Sequence, residues 1–152
     1  MRRKIALIGL SGSGKTCSAK QLCSYPDKSI VDMDCAIDTG YPPGIEKMIS
    51  WILDNPETVL AVSVHVAELA EMSEYKTDER FRRILFVYLH AEKTEISKRL
   101  KERGAGEQNI LNVIKEFEKN DLMFRTLKDK IIETTGKSLN AVVSEIKLLF
   151  EV

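Results

Sequence analysis

No stretch of this sequence is apolar for long enough to span a membrane, and the early run IALIGL is too short, and lacks the small-residue cleavage site, for a secretory signal. A cytoplasmic protein with no membrane partner is expected. Nor does one sign of charge dominate: 23 Lys and Arg balance 23 Asp and Glu, so no global positive field draws the chain to a long nucleic acid, and any anion must be held locally. Cysteine is scarce. Cys17, Cys23 and Cys35 are an odd number without metal-ligand spacing, which argues against a disulfide framework or a zinc site and for reduced, packed thiols. There is no internal repeat, low-complexity tract or linker, and 152 residues leave room for one domain, 1–152, not two. The oligomeric state is not fixed by the sequence, with a monomer favoured.

What is present is an alternation. Short runs rich in Val and Ile, at 4–8, 29–33, 58–64, 83–89 and 130–133, read as buried parallel strands. Segments with apolar residues at helical spacing fall between and after them, at 15–24, 45–53, 66–74, 94–103, 108–127 and 139–150. This predicts an α/β fold: an open, doubly wound parallel sheet of about five strands, helices on both faces, and ligands at the carboxyl ends of the strands. The Pro/Gly stretch TGYPPG at 39–44 reads as a loop at that end.

The octapeptide GLSGSGKT at 9–16 matches the phosphate-loop pattern G-x-x-x-x-G-K-[ST], with a strand pattern before it and a helical pattern after it. Gly9, Gly12 and Gly14 permit positive backbone dihedrals, so that the amides through Leu10, Ser11, Ser13 and on to Cys17 converge on phosphate oxygens. The helix starting near Lys15 adds its positive end. Lys15 suits the transferring phosphate, and the Thr16 hydroxyl suits the Mg²⁺ that bridges the β and γ oxygens of ATP.

The second expected strand ends in IVDMD, which sets Asp32 and Asp34 on one side at its carboxyl end, with Met33 facing the other way. Such a pair either holds Mg²⁺ through water, Asp32 in particular, or orients and deprotonates an attacking hydroxyl. The alternative is one capping carboxylate and one solvated one. Asp38 has no evident partner.

With these residues in view the chain resembles the small phosphate-loop kinases, which include nucleoside monophosphate kinases, shikimate kinase and gluconate kinase. GLSGSGKT looks like their phosphate loop, VDMD resembles the D-x-D that shikimate kinases place after the second strand, and RLKERG is similar to the helix that enters the lid. IIETTGKSLNAVVSEI resembles the closing strand, turn and helix, and the resemblance implies that the turn Thr135, Gly136 and Lys137 flanks the adenine. It implies a strand order of 2-3-1-4-5. Arg99 and Arg103, four residues apart on one helix, match the arginine pair at the lid and imply a clamp on the γ-phosphate; a solvated face is the alternative. The lid is very short, with only GAGE after Arg103.

The third strand departs from the family. VLAVSVHVAEL offers Ser63 and His65 where nucleoside monophosphate kinases carry an acidic residue and an arginine, and shikimate kinases a glycine run. His65 either contacts the acceptor or is structural; His90 reads as structural. Tyr41, Met48 and Trp51 either line an acceptor pocket or pack an amphipathic helix. Ile110, Leu111, Ile114, Phe117 and Leu122 read as a core face, with Lys115 and Arg125 the only basic candidates for phosphate contact there. Arg80, Arg82 and Arg83 lie at the amino-terminal end of the sheet and read as surface.

The expected activity is an ATP- and Mg²⁺-dependent transfer of the γ-phosphoryl group to a small acceptor, foremost a nucleoside or deoxynucleoside monophosphate. A hydroxyl acceptor of the shikimate or gluconate kind is the alternative within kinases, and a nucleotide-binding regulator with little turnover is the alternative outside them. No N-K-x-D or D-x-x-G is present for a GTPase switch.

Overall fold

The computed structural model describes residues 3–23, 30–32, 45–63 and 72–149. Asp34, Asp38, Tyr41, His65 and Cys35 lie outside the described residues, as does most of the helix expected over 66–74. In chain order the elements are β1 (Lys4–Ile8), α1 (Lys15–Leu22), β2 (Ile30–Asp32), α2 (Ile45–Asp54), β3 (Val59–Ser63), a 3₁₀ turn (Ser73–Tyr75), α3 (Glu79–Arg82), β4 (Ile84–His90), α4 (Lys93–Glu102), α5 (Glu107–Lys115), α6 (Phe117–Leu127), β5 (Lys130–Glu133) and α7 (Leu139–Leu148).

The strands form one parallel sheet of five in the order β2-β3-β1-β4-β5. Alternation along β1 assigns its side chains to two cores, because successive residues of a strand point to opposite faces. Ile5 and Leu7 pack with Ala19 of α1 and with Val142 and Ile146 of α7. Ala6 and Ile8 pack with Met48 and Ile52 of α2, Leu100 of α4 and Phe124 of α6. Helices therefore cover both faces, the α/β arrangement that the alternation of apolar patterns predicts. Every residue of β4 is buried, and each large apolar side chain sealed in this way contributes roughly 1.5–3 kcal/mol over leaving it exposed.

Two expectations are corrected. The single helix expected over 108–127 is two, α5 and α6, meeting at Glu116, whose backbone turns to φ −93° and ψ 4°. The bend keeps its ladder, with Glu116 N donating to Asn112 O at 3.2 Å and Asn120 N to Glu116 O at 3.0 Å. It exists because α5 packs on α4 whereas α6 lies on β4, two directions that one straight rod cannot serve. The core face also differs: Ile110, Phe117, Phe124 and Leu127 are buried, but Leu111 and Leu122 are 62% and 67% exposed. Leu111 is one residue, about 100° of helix turn, away from the buried Ile110, and Leu122 lies two residues from Asn120 and Phe124, so neither meets the sheet.

Met48 is fully buried in the core, which is packing and not a pocket wall, while Trp51 is partly exposed with the Lys47 ammonium 5.8 Å above its ring. α4 runs into α5 through residues 103–106, where Gly104 takes φ +79° and Ala105 N closes back on Leu100 O at 3.0 Å. Among the described residues no helix is long and apolar enough to cross a membrane.

Candidate active site

The sheet register sets the level of the site. Leu7 pairs with Ala61, and Asp32 pairs with Ser63; two residues beyond Leu7, Gly9 is therefore level with Ser63 and Asp32 along the carboxyl edge of the sheet. β3 stands between β2 and β1, so Asp32 lies roughly 10 Å across the sheet from the start of the loop, two strand spacings away.

Gly9 shows why the loop leaves the strand as it does. Its φ is +155°, and a Cβ there would stand 2.7 Å from Ser13 Oγ and 2.8 Å from Leu89 O. No side chain fits in that space. Gly12 and Gly14 also take positive φ, +88° and +91°, and Gly14 is the left-handed residue ahead of α1. The chain ahead of Gly14 closes tightly, with Ser13 N donating to Leu10 O at 3.0 Å. The first bond of the α1 ladder runs from Ser18 N to Gly14 O at 3.0 Å, so the amides ahead of it point out of the helix end, where they attract anions.

Leu10, Ser11, Gly12, Gly14, Lys15, Thr16 and Cys17 line a cavity of about 480 Å³. Arg99 and Glu102 of α4, with Arg103 just after it, close it from the other side. Lys15 Nζ donates to Gly9 O at 3.0 Å, folded over its own loop. Gly9 and Ser13 form the buried floor of the loop and do not line the cavity. Ser13 Oγ is buried beneath the loop without a hydrogen-bond partner among the described residues, so a polyanion in the cavity meets the outward amides of the helix end and Lys15 instead. The residues present thus fit a triphosphate. Among the described residues no group of three or more His, Cys, Asp or Glu forms a metal cage; a hydroxyl at the helix start is the kind of lone protein ligand that suits Mg²⁺, whose other positions go to water and phosphate oxygens.

The two arginines differ. The Arg103 guanidinium is exposed and makes no ion pair or hydrogen bond with a described residue. That of Arg99 is engaged on all sides: Nε donates to Glu95 Oε1 at 3.0 Å, Nη1 to Gly12 O at 3.2 Å and Thr134 Oγ1 at 3.0 Å, and Nη2 to Thr134 O at 3.0 Å. Thr134 Oγ1 in turn donates to His90 O at 2.9 Å. Thr134 and Glu95 are missed by sequence reasoning; the Glu95 to Arg99 spacing carries a helical-pair signal, but nothing local marks Thr134.

The turn at 135–137 starts from the same threonine, with Lys137 N donating to Thr134 O at 3.1 Å and Gly136 at φ +74°. Its side chains turn elsewhere. Lys137 Nζ pairs with Glu145 at 2.9 Å, and Thr135 Oγ1 accepts from Glu92 N at 2.9 Å. Among the described residues, Thr135, Gly136 and Lys137 therefore join the loop through Thr134 and Arg99.

Beneath the turn, His90 lies between Glu133, which contacts Nδ1, and Asp121, 3.7 Å from Nε2. Tyr88 donates to Asp121 at 2.7 Å, and Arg125 holds the other oxygen of Asp121 at 2.9 Å. His90 is thus structural, and Arg125 is committed to Asp121. Burial, and then the Asp121 carboxylate, push the Tyr88 hydroxyl well above the ordinary tyrosine range. For Glu133 burial works upward, but hydrogen bonds from Thr135 and His90 outweigh it and hold the carboxyl below its usual value.

A glycine loop between the first strand and the first helix of a parallel sheet, faced by basic residues from a later helix, places the chain in the class of phosphate-loop nucleotide-binding folds. Solved structures narrow this to the fold of the small phosphate-loop kinases. Shikimate kinase from Acinetobacter baumannii in complex with shikimate superposes with a TM-score of 0.66 at 16% identity, covering 98% of this chain and 93% of that one. A gluconokinase from Sinorhizobium meliloti 1021 gives 0.54 at 15% identity, covering 99% and 94%. Thymidylate kinase from Candida albicans gives 0.51 at 15%, covering 99% and 91%. No protein-family model and no curated protein matches the sequence.

Proposed function

We propose that the protein is a Mg²⁺-dependent phosphotransferase that moves the γ-phosphoryl group of ATP to a small acceptor, foremost a nucleoside or deoxynucleoside monophosphate. One observation carries this reading: the positive-φ loop, the start of α1, Lys15 and Arg103 converge on a single cavity. The loop amides and Lys15 hold the donor phosphates, and Thr16 offers its hydroxyl to the metal. A Mg²⁺ held there would supply neutralisation of the phosphate charge. Arg103 supplies further positive charge as the bond from the γ-phosphorus to its bridging oxygen breaks and the bond to the acceptor oxygen forms. Catalysis of this kind is positioning and charge neutralisation, with no covalent intermediate on the protein. Thr135, Gly136 and Lys137 remain the proposed flank of the adenine.

A second reading takes a hydroxyl acceptor. The observation that favours it is the register, which sets Asp32 level with Gly9 at the carboxyl edge of the sheet; from that level Asp32, with Asp34 following it in the sequence, serves as an outer ligand of the metal or as a base for a hydroxyl. The solved shikimate kinase and gluconokinase support this reading as much as thymidylate kinase supports the first.

The test is ADP formation from ATP and Mg²⁺ across a panel of nucleoside and deoxynucleoside monophosphates, shikimate and gluconate, run beside Lys15→Ala. Turnover with one class of acceptor, lowered about 100-fold or more in Lys15→Ala, is the expected outcome. ATP binding with no acceptor-dependent turnover overturns the kinase and leaves a nucleotide-binding regulator.

A further inference from the structure

Arg99 sits where a phosphate clamp is expected, yet each of its guanidinium nitrogens already donates to a protein oxygen. Two of those oxygens belong to Thr134 and one is the carbonyl of Gly12, inside the phosphate loop. In a trans peptide the carbonyl and the following N–H point in opposite directions. With Gly12 O drawn toward Arg99, the Ser13 N–H is aimed at Leu10 O, its partner at 3.0 Å. Gly12 takes φ +88°, and glycine permits several other backbone conformations at little cost. A rotation of this one peptide would break the Ser13 N–H to Leu10 O bond and set the Gly12 carbonyl against the Leu10 carbonyl, opening the turn that shapes the phosphate loop.

We infer that Arg99 is a positioning residue, not a phosphate ligand: braced by Thr134 and Glu95, it locks the Gly12–Ser13 peptide and with it the Leu10–Ser13 turn that shapes the loop around the polyphosphate. Thr134 is the anchor of this device. Its hydroxyl accepts from Arg99 and donates to His90 O, and its carbonyl accepts from Arg99 and from Lys137 N. The end of β5 is thereby tied to the apex of a loop that follows β1. Of the two arginines, Arg103 is left to answer to the phosphates beside Lys15. The inference rests on the reading of the cavity as a polyphosphate site and assigns a division of labour within it.

The experiment measures binding of ATP and of inorganic tripolyphosphate, with no acceptor, to the wild type, Thr134→Val, Thr134→Ser, Arg99→Lys, the Thr134→Val/Arg99→Lys double variant and Lys15→Ala. Thr134→Val removes the hydroxyl that braces Arg99 and leaves the Arg99 charge in place. It is expected to weaken both ligands about 5- to 10-fold, a loss equal to roughly 1–1.4 kcal/mol of binding. Thr134→Ser, which keeps the hydroxyl, restores wild-type affinity, and adding Thr134→Val to Arg99→Lys costs nothing further. If Thr134→Val does not fold, Glu95→Gln, which loosens the same guanidinium from its other side, is read in its place and is expected to show the same loss. Unchanged affinity in Thr134→Val with a large loss in Arg99→Lys makes Arg99 a direct clamp and overturns the inference. Equal tripolyphosphate binding by wild type and Lys15→Ala instead overturns the polyphosphate site itself, so the two failures are told apart.

Discussion

Arginines gather at both ends of this sheet, and the oxygens they bond to separate their roles. At the amino end, Arg80 reaches Glu46 at 2.7 Å and Asp78 at 2.9 Å, carboxylates that are themselves partly exposed. Pairs of that kind are screened by solvent and contribute little. At the carboxyl end, Arg99 is less exposed and spends three of its four hydrogen bonds on Thr134 and on the Gly12 carbonyl. A guanidinium given to backbone carbonyls fixes the course of the chain, because a carbonyl moves only with its peptide. The same residue type is thus surface charge at one end and internal bracing at the other.

The sharpest way to break this comparison is to strike the loop that the bracing serves. Gly9→Ala is expected to cost about 2 kcal/mol of stability, since it combines a left-handed backbone with a Cβ driven into Leu89 O; urea unfolding measures the loss, and an unchanged midpoint would mean that the loop is free to rearrange. A smaller effect is expected from acid. The Glu133 carboxyl is held below its ordinary value in the fold, so its contribution is present above the unfolded value, near 4.3, and fades as pH falls through the lower, folded value. The stability gap between wild type and Glu133→Gln should therefore narrow as pH drops below about 4.3. A gap that is constant with pH would remove the His90–Glu133 contact from the stability of this end. Least of all should Arg80→Ala matter: its unfolding midpoint and ATP affinity are expected to match the wild type, and a measurable loss would show that the amino-end cluster braces the chain as well.

How much of this is legible in the sequence follows from the range of each interaction. The phosphate loop is a local code: glycine spacing, Lys15 and Thr16 together specify a backbone path, and the strand and helix beside it are written in adjacent residues. The bracing is not local. Arg99 meets Gly12 across 87 positions and Thr134 across 35, and nothing in TTGK distinguishes Thr134, whose hydroxyl turns to Arg99, from Thr135, whose hydroxyl turns to Glu92. The bend at Glu116 is silent for a related reason. It follows from the directions in which α4 and β4 offer surface and needs no proline or glycine at the bend itself.

The connection between α4 and α5 has a practical side. Among the described residues nothing lies within 4 Å of where a Cβ would stand at Gly104 or Gly106, while Leu100 and Ile110, in the helices on either side, are anchored in the core. Both glycines face outward around Ala105, which packs against the core, and lengthening a flexible loop is thermodynamically mild, about 0.6 kcal/mol for each doubling. The junction of Ala105 and Gly106, past the last cap bond of α4 and just ahead of α5, is therefore a place beside the cavity where a longer flap or a grafted reporter peptide can be installed with Arg103 kept, and its effect on ATP binding measured without rebuilding the fold.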